Sequence, residues 1–121
     1  MSKLILVIED QEDNRRIMRD LFTSAGYEVV EAFTGEEGVT SARAHRPDLI
    51  VMDIALPGID GYEATRRIKA NPELSGVKII AVTSYALSGD DVKAYEAGCD
   101  DYVAKPFSPR KLLTKIREHI S

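Results

Sequence analysis

A chain of 121 residues carrying 16 Lys and Arg against 20 Asp and Glu, a formal charge of −4, is long enough for one buried core and too short for two. Its acids and bases are interspersed with no basic stripe, which excludes the footprint of a nucleic-acid binder, and no apolar stretch is long enough to cross a bilayer. The single cysteine, Cys99, has no partner for an internal disulfide, and its Ala97-Gly98-Cys99 setting suits a small packed side chain better than a reactive thiol.

The chain starts Met1-Ser2-Lys3 with no signal-peptide pattern, so a cytoplasmic protein is expected, with residues 1–121 as one domain and no output domain. Five short apolar runs alternate with five segments of helical period, the pattern of an α/β fold with a parallel sheet covered on both faces. Leu4 to Ile8 reads as the first strand. The first helix is predicted from about Asp13 to Ala25, with Ile17, Met18, Leu21, Phe22 and Ala25 on its apolar face and Gly26 as its stop. Tyr27 to Ala32 is the second strand. Thr34-Gly35-Glu36-Glu37 is a capping box that opens a second helix, which must end before Pro47. Leu49 to Met52 forms the third strand. Asp60 with Glu63 starts a third helix, which Pro72 ends, and Ile79 to Val82 is the fourth strand. Ser88 with Asp91 opens a fourth helix closed by Gly98, Asp101 to Ala104 is the last strand, and Ser108-Pro109 opens the fifth helix. The first, third and fourth strands are apolar throughout and belong in the centre, whereas the second and fifth mix polar with apolar residues, as edges do. Right-handed crossovers then give a doubly wound sheet of order 2-1-3-4-5, the flavodoxin-like arrangement.

Chemically active side chains follow several of these runs. Glu9 and Asp10 follow the first strand, Asp53 the third, and Lys105 the last. In a parallel sheet all four reach the C-terminal edge, where open α/β folds place their sites. Three converging carboxylates repel one another, and a hard divalent ion relieves them; Mg²⁺, which takes oxygen ligands and keeps several waters, is the natural one. After Asp53, the apolar loop Ile54-Ala55-Leu56-Pro57-Gly58 delays the next helix until about Gly61, so this carboxylate is not consumed as a cap. A free carboxylate beside a metal is able to attack phosphorus and form an acyl phosphate. Lys105, the Thr83 hydroxyl and the Ser84 backbone N–H could stabilise the equatorial oxygens of such a transfer. Taken singly, each residue has an ordinary explanation: solvated loop acids, a turn aspartate, a strand-end threonine, an exposed lysine. Their coincidence at the ends of different strands is what favours a site.

As a set in this order and spacing, Glu9-Asp10, Asp53-Ile54-Ala55-Leu56-Pro57-Gly58-Ile59-Asp60-Gly61, Thr83-Ser84 and Lys105-Pro106-Phe107 make the whole chain resemble the receiver domain of two-component response regulators, of the single-domain chemotaxis-regulator type. That resemblance implies that Asp53 accepts phosphate from a phosphohistidine on a sensor histidine kinase or a histidine phosphotransfer protein. It implies Mg²⁺ held by Asp10, Asp53 and the carbonyl of Ala55, with Glu9 acting mostly through water, and a cis Lys105-Pro106 bond that aims Lys105 at the site. It also implies a switch in which Thr83 moves toward the phosphoryl group, Tyr102 rotates inward, and the surface of the fourth helix, last strand and fifth helix changes to control a partner protein or pass phosphate along a relay. Such a protein is a signalling phosphoacceptor, not a turnover enzyme. It would catalyse its own phosphorylation and, because Ala55 and Tyr85 offer nothing to orient an attacking water, only slow self-dephosphorylation. Kinase specificity is expected on the first helix, at residues such as Asn14, Arg15, Met18 and Arg19. No nucleic acid or membrane is expected as a partner, and the protein should be a monomer or weak dimer. His45 and His119 sit in helix tails, where the dipole favours a partly cationic ring, and neither looks like a phosphodonor.

Competing readings fail on particular residues. A flavodoxin cradles its phosphate with backbone N–H groups and hydroxyls, whereas the first loop here is Glu9-Asp10-Gln11-Glu12-Asp13-Asn14, which repels a bare phosphate. A haloacid-dehalogenase-like enzyme resembles Asp-x-Asp with the second acid as proton donor, and Ala55 occupies that place. A pure docking module would not need the full complement of site residues.

Overall fold

The computed structural model describes residues 2–83 and 90–120; Ser84, Tyr85 and Ser88, named above, lie outside them. Five parallel strands, β1 (Leu4–Ile8), β2 (Glu28–Ala32), β3 (Leu49–Asp53), β4 (Lys78–Thr83) and β5 (Asp101–Ala104), run in the order β2-β1-β3-β4-β5. The helices between and after them are α1 (Glu12–Ser24), α2 (Gly35–His45), α3 (Gly61–Lys69), α4 (Asp90–Ala97) and α5 (Pro109–Ile120), with a 3₁₀ turn at Pro72–Leu74.

Strand periodicity splits the core into two layers, because alternate side chains leave opposite faces of the sheet. Leu6, Ile8, Ile50, Met52, Ile79 and Ala81 pack with Ala42, Ala64, Ile68 and Ala94 of α2, α3 and α4. Ile5, Val7, Leu49, Val51, Ile80 and Val82 pack on the other side with Met18, Phe22, Leu112 and Ile116 of α1 and α5. Each large side chain so buried contributes about 1.5–3 kcal/mol, which makes the central strands the anchor for every loop at the C-terminal edge. The edge strands β2 and β5 are only partly buried.

Helix starts follow the predicted side-chain chemistry. Thr34 accepts the Glu37 N–H at 3.0 Å while the Glu37 carboxylate accepts the Phe33 N–H at 3.1 Å, and Asp60 accepts the Glu63 N–H at 2.9 Å. Such caps satisfy backbone donors that a helix leaves without partners. Gly58, at φ +76° in the loop after β3, adopts the left-handed backbone that side-chain-bearing residues avoid.

The first helix corrects two expectations. Ile17 is 51% exposed, and the buried stripe is instead Arg15, Met18 and Phe22, spaced three and four apart. Ile17 precedes Met18 by one residue, about 100° around the helix, so it falls off that stripe. For the same reason Met18 and Arg15 are not surface specificity residues. Cys99 is buried, accompanied by Thr65 at 3.7 Å, and burial pushes its thiol up to about 11; it is inert packing, as expected.

The β5–α5 contact holds a charged network. Asp101 accepts hydrogen bonds from Lys115 at 3.1 Å and its own neighbour's N–H on Tyr102 at 2.8 Å, and lies 3.2 Å from His119. Burial works to raise this carboxyl, but the Tyr102 N–H, Lys115 and His119 outweigh it and hold the Asp101 pKa below the ordinary value. A depressed carboxylate stabilises the fold above its unfolded pKa, about 3.9, and that contribution is lost as the pH falls through the lower folded value. Asp101→Asn should therefore lower unfolding stability by about 1–2 kcal/mol at neutral pH, with the difference from wild type closing below about pH 4. Denaturant titrations at several pH values check this.

Candidate functional site

Register brings the reactive groups together. β1 and β3 are neighbours, with Ile8 opposite Met52, and β3 pairs with β4 so that Asp53 stands opposite Val82. Asp53 is thus the last residue of its strand instead of the first of a loop, locked by the Ile54 N–H donating to the Val82 carbonyl at 3.0 Å. Beyond it the chain turns back sharply. The Gly61 N–H donates to the Ile54 carbonyl at 2.9 Å, and a Cβ at Gly61 would collide with the Asp53 carbonyl and Ile54. No residue larger than glycine fits there without moving the strand end that carries the carboxylate.

Glu9, Asp10 and Asp53 each present a carboxylate oxygen within 4.8 Å of the others. Glu9 and Asp53 are buried and Asp10 is exposed. Lys105 reaches in from the end of β5, its Nζ 3.2 Å from Glu9 Oε1 and 3.5 Å from Asp53 Oδ1. The Lys105 N–H donates to the Thr83 carbonyl at 2.7 Å, which fixes the base of its side chain to the end of β4. The Lys105-Pro106 peptide is cis.

Both buried acids also accept hydrogen bonds from nearby groups. Glu9 accepts from the Gln11 N–H at 3.2 Å and from Asn14 Nδ2 at 3.4 Å; Asp53 Oδ1 accepts from the Ala55 N–H at 3.3 Å. Although Asp10 is exposed, partial desolvation of its carboxyl, followed by a hydrogen bond and like-charge repulsion from Glu9, raises its pKa above the usual aspartate value. One lysine facing three acids leaves an excess of negative charge in a set of hard oxygen donors, which is the chemistry that suits Mg²⁺. The residues fit that ion.

Thr83 is 3% exposed at the end of β4, one position past the residue opposite Asp53. Tyr102, opposite Ala81, is half-buried against the layer of core formed with α2, α3 and α4. Ser84 and Tyr85 fall outside the described residues. Arg15, expected among the surface specificity residues of the first helix, instead donates from Nη1 to the Glu9 carbonyl at 2.9 Å; the signal for its burial was its place three residues before Met18 and seven before Phe22, on the buried stripe.

Among the described residues, depressions lie at both edges of the sheet. One of about 560 Å³ lies beside Lys105 and is lined by Asn14, Ile17, Lys105, Pro106, Phe107 and Pro109. A slightly larger one, about 600 Å³, lies at the opposite edge near Lys3, Arg46, Asp48, Glu73 and His119. It contains no member of the carboxylate cluster.

Comparison with known proteins gives a consistent answer. The family model described as the response regulator receiver domain matches residues 5–117. The polar-differentiation response regulator DivK of Brucella anthropi is 39% identical over 120 residues, covering 99% of this chain and 98% of its own. The receiver domain of the sensor histidine kinase PA1611 from Pseudomonas aeruginosa PAO1, solved with a magnesium ion coordinated in the active site cleft, is 39% identical with a TM-score of 0.92, over 99% of this chain and 98% of that one. A CheY-like response regulator receiver domain protein from Methanospirillum hungatei JF-1 is 35% identical with a TM-score of 0.88, over 98% and 93%.

Proposed function

The chain belongs to the response regulator receiver domain family of two-component signalling, and on that premise we propose that Asp53 is its phosphoacceptor. The supporting observation is the convergence of Asp53 with Glu9, Asp10 and Lys105 at one sheet edge. An Asp53 carboxylate oxygen forms the new P–O bond as the P–N bond of a phosphohistidine breaks, and the departing imidazole nitrogen keeps the electron pair. Lys105 moves its ammonium from the Asp53 carboxylate toward the phosphoryl oxygens, and the Thr83 hydroxyl donates to another of them. Asp10, Asp53 and the Ala55 carbonyl would hold Mg²⁺, with Glu9 contributing through water. When bound, the ion supplies positive charge against the developing charge on the phosphoryl oxygens.

The same reading gives the switch. Phosphorylation adds nearly two negative charges at Asp53; Thr83 shifts to meet them, and Tyr102 turns into the space released, altering the surface of α4, β5 and α5 that a downstream protein reads. The donor, a sensor histidine kinase or a histidine phosphotransfer protein, docks at the groove beside Lys105, where Ile17 and Phe107 offer apolar contact next to the site. The relay and direct-target outcomes share this first step.

Incubation with acetyl phosphate and Mg²⁺ tests the reading. One phosphoryl group per chain should appear by intact-mass spectrometry and should outlast removal of the reagent by minutes, because Ala55 has no carboxylate or amide to direct a water. Continuous turnover of acetyl phosphate without an adduct would instead indicate a phosphatase, and loss within seconds would refute the slow self-dephosphorylation.

A further inference from the structure

We propose that Arg15 is a positioning residue for the metal and phosphoryl site, holding the loop that presents Glu9 and Asp10 from behind; this rests on the reading that the site takes Mg²⁺. Its side chain is only 10% exposed, an unusual burial for arginine. The guanidinium makes three contacts at once. Nη1 donates to the Glu9 carbonyl at 2.9 Å, Nε lies 3.5 Å from Glu31 Oε1, and the group stacks over the Phe33 ring with 4.0 Å to the centroid.

The Glu9 backbone is thereby clamped from both sides. Its N–H donates to the Ala32 carbonyl at the end of β2, 3.1 Å away, and its C=O accepts from Arg15. Asp10 hangs from the next peptide unit, so the direction of its carboxylate depends on this clamp. Glu31 is itself fixed by Arg19 at 3.0 Å, and the partners therefore make a rigid seat for the guanidinium. Geometry, more than charge, is the means of action. The contact of Arg15 with the acidic loop is made to the Glu9 carbonyl. Lysine has the charge but not the planar fork, and no ammonium serves Glu9, Glu31 and the Phe33 face together.

Groups that orient metal ligands from outside typically change affinity 10- to 100-fold when removed. The test is Mg²⁺ binding by isothermal titration calorimetry at a temperature where circular dichroism shows each variant folded. Arg15→Met should weaken Mg²⁺ about tenfold, Arg15→Lys should fall between it and wild type, and Phe33→Leu, at a half-exposed position, should weaken it about twofold through loss of the stack. A role confined to stability would lower the melting temperature and leave the affinity of the folded protein alone. Wild-type affinity in Arg15→Met overturns the proposal; if that variant fails to fold, wild-type affinity in Phe33→Leu does so. Failure of the wild type itself to bind Mg²⁺ would overturn the metal reading, and with it the positioning role that rests on it.

Discussion

Asp53→Asn should abolish phosphoryl uptake from every donor while leaving the fold intact. The amide keeps the shape of the carboxylate and its acceptor for the Ala55 N–H, but its oxygen is no nucleophile and it carries no charge for Lys105, 3.5 Å away. One of three mutually repelling acids is removed, so the melting temperature should not fall. Intact-mass spectrometry after acetyl phosphate and Mg²⁺ should show the adduct on wild type and none on the variant. An adduct at wild-type stoichiometry on Asp53→Asn would move the acceptor elsewhere and sink the functional reading.

Chelation of Mg²⁺ should be nearly as severe. Without the cation, the excess acids at the site repel an incoming phosphoryl group, and Lys105 alone is too little positive charge to offset them. Phosphorylation in EDTA should drop to background and return when Mg²⁺ is restored. Asp10→Asn should weaken Mg²⁺ binding by about 10- to 100-fold, the scale of one charged contact. In metal-free protein the same substitution should not destabilise. Partial desolvation and the Glu9 carboxylate raise the Asp10 pKa, so the ionised side chain is disfavoured by the fold, and replacing it with a neutral amide relieves that cost. Opposite signs for metal affinity and apo stability, read by calorimetry and thermal melts, separate a binding role for Asp10 from a structural one.

The site residues were legible because each follows an apolar run. Leu4 to Ile8 and Leu49 to Met52 are continuous, which only strands buried on both faces require, and a parallel sheet sends their C-terminal ends to one edge. With the last strand also parallel, Glu9, Asp10, Asp53 and Lys105 reach that same edge. Caps were equally readable, since Thr34 with Glu37 and Asp60 with Glu63 satisfy local backbone donors over three residues. Tertiary context decided less local matters. Ile17 has the composition of a core residue but the wrong angle on α1, and lines a groove beside Lys105 instead. Arg15 has the composition of a surface residue but sits on the buried stripe, where Glu31, Phe33 and the Glu9 carbonyl accommodate its charge.

Strand order, the starts of α1, α2, α3 and α5 to within a residue, and the charged groups of the edge could be read from the chain, because periodicity and capping are short-range physics written in neighbouring residues. Which partners those charges take depends on the folded chain: Lys105 lies between Glu9 and Asp53, Asp101 among Lys115 and His119, and Arg15 behind the acidic loop. Side chains from distant segments meet there at distances set by sheet register and helix rotation, and a long polar side chain is buried only where such partners compensate its desolvation.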